Sequence, residues 1–123
     1  MKVNALSWIG VKTSHFDAMV HLYRDVLQLH ADLEQPDFAV FRLPNGDTLE
    51  IFGPAGPNAH LAQGMVVCGF HVDDIEQARQ ELVQAGVELV GPLQVDEANN
   101  AAWQHFHGPD GSIFELNGGL EHS

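Results

Sequence analysis

The sequence predicts an α+β fold: two tandem β-α-β-β-β modules whose curved mixed sheets form a concave small-molecule cavity. Three observations predict it. A strand–turn–strand text occurs twice, a strand and a helix precede each copy, and a Pro/Gly-rich linker separates the halves.

The repeat carries most of the information. Phe41-Arg-Leu-Pro-Asn-Gly-Asp-Thr-Leu-Glu-Ile-Phe-Gly53 aligns with Phe106-His-Gly-Pro-Asp-Gly-Ser-Ile-Phe-Glu-Leu-Asn-Gly118. Phe, Pro, Gly, Glu and Gly coincide at five of the thirteen positions, and both copies read as hairpins around a Pro-Asx-Gly turn. Pro presets φ at the first turn position, and Gly takes the positive φ that other residues resist.

The segments ahead of each hairpin correspond as well. Leu6 to Val11 and Met65 to Val72 are rich in β-branched and aromatic residues and read as strands. In the first helix Ser14 is the expected cap, with Asp17 three residues on. Phe16, Met19, Val20, Tyr23, Val26 and Leu27 form its apolar stripe. In the second, Asp73 is the expected cap with Glu76 three on, Ile75, Ala78 and Leu82 face inward, and Gly86 ends it. A strand follows each helix, near His30–Glu34 and Val87–Val95. The expected organisation is one domain over residues 1–123: module one at 3–53, a linker at 54–64 and module two at 65–118.

Composition narrows the partners. A hydrophobic fraction of 45% is enough for a packed core, and no run approaches the ~20 apolar residues of a membrane span. The chain has 17 acids against five Lys plus Arg, a net charge of −12, and Arg79 is the one Lys or Arg beyond residue 63. Such a surface repels phosphate backbones and acidic membranes, so neither nucleic acid nor membrane is expected. The one cysteine, Cys68, has apolar neighbours and is expected to be buried. A cytoplasmic setting follows as the default.

Strand alternation then names the cavity face. Module one turns Trp8, Gly10 and Lys12 inward, with Phe38, Val40, Arg42, Thr48, Glu50 and Phe52. Module two turns in Val67, Gly69 and His71, then Trp103, His105 and His107, then Ile113, Glu115 and Asn117. The expected ligand-binding residues are Trp8, Phe38, Arg42, Glu50, Phe52, His71, Trp103, His105, His107 and Glu115. Aromatic walls with two carboxylates suit a cationic or aromatic compound through cation–π contacts and charge-assisted hydrogen bonds. Each candidate also has a structural reading: Trp8 as core, Arg42 as partner of a nearby acid, the glutamates as relics of duplication. His15, His21, His30, His60 and His122 show no spacing signal and are expected to be exposed.

Three texts carry a family resemblance: Phe16 to Leu29 with Leu-Tyr-Arg-Asp-Val-Leu at 22–27, Phe-His-Val-Asp-Asp at 70–74, and Gly-Pro-Asp-Gly-Ser-Ile-Phe-Glu-Leu at 108–116. Together they resemble the vicinal oxygen chelate superfamily of glyoxalase I, bleomycin-resistance proteins and extradiol dioxygenases, over about residues 3–118. The resemblance implies one metal ligand from the first strand and one from the last strand of each module. Those places hold Trp8 and Glu50, then Val67 and Glu115. Trp and Val offer no lone pair to a metal, which sets the chain nearest the metal-free bleomycin-resistance-like branch. No cofactor is expected, and if a divalent metal is present Glu50 and Glu115 are its ligands. The leading expectation is therefore a metal-independent binding or sequestering protein, with homodimerisation implied by the resemblance. The alternative is a metal-dependent or glutamate-based lyase, isomerase or dioxygenase with Glu50 and Glu115 as catalytic candidates.

Overall fold

A computed structural model describes residues 1–119. The element order is β-α-β-β-β twice. Module one runs β1 (Val3–Lys12), α1 (Phe16–His21), β2 (His30–Gln35), β3 (Phe38–Arg42) and β4 (Thr48–Phe52). Module two runs β5 (Val66–Val72), α2 (Ile75–Gln84), β6 (Leu89–Asp96), β7 (Ala101–His107) and β8 (Ile113–Gly119). No helix among the described residues is long and apolar enough to cross a membrane.

The chain forms two compact units, Ser7–Val67 and Met1–Leu6 together with the chain from Cys68 onward, so the division falls within β1 and β5. In the first unit the strand order is β2-β3-β4-β1, with β1 parallel to β4 and the other pairs antiparallel. In the second the order is β5-β8-β7-β6, again with one parallel pair, β5 with β8. Each sheet buries one face beneath its own helix. Val20, Ala39, Phe41 and Ile51 form the first core, and Val72, Ile75, Ala78, Leu82, Ala102 and Leu116 the second.

The repeated hairpins close in the same way. Leu43 N–H donates to Asp47 O at 2.8 Å, and Gly108 N–H donates to Ser112 O at 2.8 Å. Gly46 (φ 93°) and Gly111 (φ 86°) take the left-handed position in each, where a Cβ would clash with the preceding carbonyl. The side chains of Asn45 and Asp110 accept the amides of Asp47 and Ser112, both at 3.0 Å. That bond holds the Asp110 carboxyl below the usual carboxylate range.

The helix termini correct three expectations. Ser14 does not cap α1, because the helix begins one residue later and His15, without a side-chain cap bond, stands at its start. The His15 amide is taken instead by Thr13 Oγ1 at 2.9 Å. After His21 the chain widens into a π-helical turn at Leu22–Val26, marked by the Leu27 N–H to Leu22 O bond at 2.9 Å. The extra residue in that turn rotates the following side chains off the core line. Val26 and Leu27 are therefore 60% and 54% exposed, and Leu29 takes their place against the core. In α2 the cap is Asp74, which accepts from Gln77 N–H at 3.0 Å. Asp73 accepts from Asn4 Nδ2 at 2.7 Å instead. Cys68 is half-buried, not sealed in the core. His15, His21, His30 and His60 are exposed as expected, while His122 lies outside the described residues.

Candidate functional site

In module two, register brings the polar residues together. On β7 and β8, His105 faces Glu115, Trp103 faces Asn117 and His107 faces Ile113. From the other side, β5 sets Gly69 against Glu115 and His71 against Asn117. Because strand residues alternate faces, these side chains share one surface and their neighbours Gln104 and Leu116 lie under α2.

The centre of this surface is a buried acid–imidazole pair. His105 Nε2 lies 3.1 Å from Glu115 Oε1, with the two side chains only 4% and 5% exposed. Asn117 Nδ2 donates to the other oxygen, Oε2, at 3.1 Å. An ionised carboxylate buried alone would cost several kcal/mol in lost hydration; here both oxygens have partners. With Glu115 ionised, His105 Nε2 must carry a proton to donate. With Glu115 protonated, Nε2 is the acceptor. The arrangement thus holds a proton between two groups out of water, beside a half-buried indole at Trp103.

Module one carries aromatic rings on the equivalent surface. Phe38 and Phe52 stack with centroids 5.8 Å apart and planes 7° from parallel, and Trp8 tilts against Phe52 at 6.3 Å. Gly10 makes this packing feasible: a Cβ there would stand 2.3 Å from the Trp8 ring. Glu50, half-buried, lies between Gly10 and Val40 in register. Lys12 is 3% exposed, and its ammonium donates to the carbonyls of Gly53 at 2.9 Å and Pro57 at 3.4 Å.

Two expected site residues are engaged elsewhere. Arg42 is exposed and bonds Asp32 at 2.6 Å. His107 is tied to its own hairpin, with Nδ1 3.2 Å from Gly111 O and Nε2 3.5 Å from Glu88. His71 is half-buried, with Nδ1 3.5 Å from Asn4 Nδ2. Sequence reasoning placed Asn117 on the face but missed its role as a donor to Glu115, and it missed Gln104 entirely. Gln104 is a polar residue at a core position of a strand, and that break in the apolar alternation was the available signal.

The donor set does not fit the superfamily's metal pattern. Trp8 and the fully buried Val67 occupy the first-strand places, and neither side chain offers a lone pair to a metal. Among the described residues no group of three or more His, Cys, Asp or Glu is placed to hold a metal.

The family model of the glyoxalase/bleomycin resistance protein/dioxygenase superfamily matches residues 5–116. The chain belongs to this superfamily. Solved structures agree in fold. A hypothetical protein from Bacillus halodurans is 21% identical, with 99% of each chain covered and a TM-score of 0.70. A Mn(II)-bound glyoxalase from Novosphingobium aromaticivorans is 19% identical with a TM-score of 0.78, matching 99% of this chain and 42% of that one. A methylmalonyl-CoA epimerase from Streptomyces coelicolor, in complex with 2-nitronate-propionyl-CoA, is 16% identical over 98% of this chain and 100% of that one, with a TM-score of 0.69. No curated protein matches the chain. These neighbours share the fold and differ in chemistry, so function must be argued from the site.

Proposed function

We propose that this superfamily member is a metal-independent binding protein for a cationic or aromatic small molecule. The observation that carries the reading is the buried Glu115, bonded to His105 and Asn117 on the surface shared with Trp103 and His71. Its carboxylate accepts an N–H or ammonium group of the ligand in a dry setting, where a charge-assisted bond is strong. Trp103 supplies a flat face for a ring or cation. The rings of Trp8, Phe38 and Phe52, with Glu50, form a separate proposed contact surface on module one. Arg42 and His107 are bonded to Asp32 and to the hairpin, so a ligand would compete with those partners for them. A homodimer in the cytoplasm accompanies this reading.

A thermal-shift panel of cationic aromatic compounds, run at low and high salt, tests it. A ligand about a hundredfold above its Kd stabilises by about 2.7 kcal/mol, and Glu115→Gln should remove most of that gain. A panel in which nothing stabilises the protein would overturn the proposal. Elemental analysis of protein purified without chelator tests metal independence, and stoichiometric transition metal would end that part of the reading.

A second reading has its own support. A carboxylate and an imidazole 3.1 Å apart and out of water are equipped for general acid–base work without a metal. Glu115 would take a proton from an acidic C–H, while His105 holds the carboxylate and buffers its charge. Exchange of substrate hydrogen with deuterated water, lost in Glu115→Gln, separates this reading from simple binding.

A further inference from the structure

We propose that Gln104, backed by Arg79, is a positioning residue for the His105–Glu115 pair. The inference rests on taking that pair as the working centre of module two. Gln104 is fully buried on the helix side of β7, in a layer otherwise built from Val72, Ile75, Ala78, Leu82, Ala102 and Leu116. A carboxamide there loses its hydration and must recover it through bonds within the protein.

The bonds it makes converge on one rung. Gln104 Nε2 donates to His105 O at 2.9 Å and Gly91 O at 2.9 Å, with Val90 O at 3.3 Å. Its Oε1 accepts from Arg79 Nε at 2.8 Å, and Arg79 Nη1 bonds Glu76 at 2.9 Å on the surface of α2. Val90 is the β6 residue paired with His105, and the β6–β7 ladder is irregular from Val90 to Gln94. The carboxamide therefore ties His105 to the strand beside it where regular pairing stops. A strand loose at that point would let the His105 backbone shift, and with it the height of the imidazole over Glu115.

Module one supplies the internal control. The residue equivalent to Gln104 is Ala39, which is also fully buried and precedes Val40, not a histidine. The same fold is thus built without the carboxamide where no imidazole follows. Arg79 is the one Lys or Arg beyond residue 63, and its Nε is spent on this buried oxygen.

The test uses nuclear magnetic resonance of the full chain without ligand, reading the two His105 ring nitrogens, assigned by their loss in His105→Gln. Glu115→Gln should displace them, defining the value for a broken pair. Gln104→Met, similar in length and apolar, should move them at least halfway to that value, and Arg79→Met should move them less, in the same direction. If Gln104→Met does not fold, Arg79→Met decides alone. Wild-type ring resonances in a folded variant with a lowered Tm would assign Gln104 a purely structural role and overturn the proposal. Resonances indifferent to Glu115→Gln would overturn it too, by denying the pair. Because no ligand is present, an absence of ligand binding in the thermal-shift panel leaves this result intact.

Discussion

The two modules place a glutamate on the same rung and surround it differently. Glu50 stands between Gly10 and Val40, and Glu115 between Gly69 and His105. Two residues further along the same strands, module one has Phe38 against Phe52 where module two has Trp103 against Asn117. The strand pairing around the two glutamates is equivalent, so the difference there lies in side chains. Module one has become an aromatic surface packed under its own rings. Module two carries polar groups on that face, and its carboxylate bonds His105 and Asn117. A duplicated scaffold fixes where a carboxylate points, while its cross-strand neighbour decides what it can do.

The largest expected difference between the modules is in their cores. Phe41 is fully buried and meets Tyr23 edge-on with centroids 5.7 Å apart. Its counterpart Phe106 is half-buried and stacks on Phe114 at 5.6 Å. Phe41→Ala should cost about 3–5 kcal/mol, and Phe106→Ala about 1.5–3 kcal/mol, both read by urea denaturation. Equal costs would break the assignment of the tighter core to module one. The same site has a pH signature, because burial raises the pKa of Tyr23, the sole tyrosine, above its ordinary 10.0. The fold favours the neutral phenol, so this contribution to stability is intact below pH 10 and is lost as the pH rises through the folded value. Ultraviolet titration should show Tyr23 moving back toward its ordinary range in Phe41→Ala.

Next in size is the exchange of rung partners. His105→Val gives module two the residue that module one already has at Val40. Glu115 then loses one of its bonds in a buried setting, at a cost of about 1–3 kcal/mol. Ligand-induced stabilisation should vanish in this variant even where the fold survives. Retained binding would show that Glu115 works without its imidazole, and the contrast between the modules would lose its functional meaning.

A smaller contrast separates the helices. Asp74→Ala removes the one bond that caps α2 and should cost about 1 kcal/mol. Ser14→Ala removes no cap from α1 and should leave the unfolding midpoint unchanged. A cost at Ser14 comparable to that at Asp74 would restore the cap that the sequence suggested.

These caps also show where legibility ends. The modules, the hairpins and the shared face were readable, because Pro-Asx-Gly turns and two-residue alternation are local and periodic signals. Asn117, His105 and Glu115 could be set on one face by counting, but their bonds depend on register and rotamer, which no spacing encodes. Asp73 and Asp74 are adjacent and chemically alike, so a one-residue choice of cap was settled by Asn4, nearly seventy positions away. Gln104 broke the apolar alternation of β7, but its three carbonyl partners could not be read, because they come together only where β6 departs from regular pairing with β7.

The smallest effect tests the turn that interrupts module one's helix. By helical spacing Val26 belongs to the apolar stripe, and by that reading Val26→Lys would bury a charge and cost several kcal/mol. The π-helical turn carries it outward to 60% exposure, next to Asp25, whose carboxyl the Arg24 guanidinium draws down to about 2. A lysine there meets water and an acidic neighbour, so the change in stability should fall within about 0.5 kcal/mol. Leu29 makes the complementary case, since it replaces Val26 and Leu27 against the core. Leu29→Lys should therefore destabilise clearly where Val26→Lys does not. If the two substitutions ranked the other way, the helix would continue as a regular α-helix through Leu27, and the register of everything from His21 to β2 would have to be redrawn.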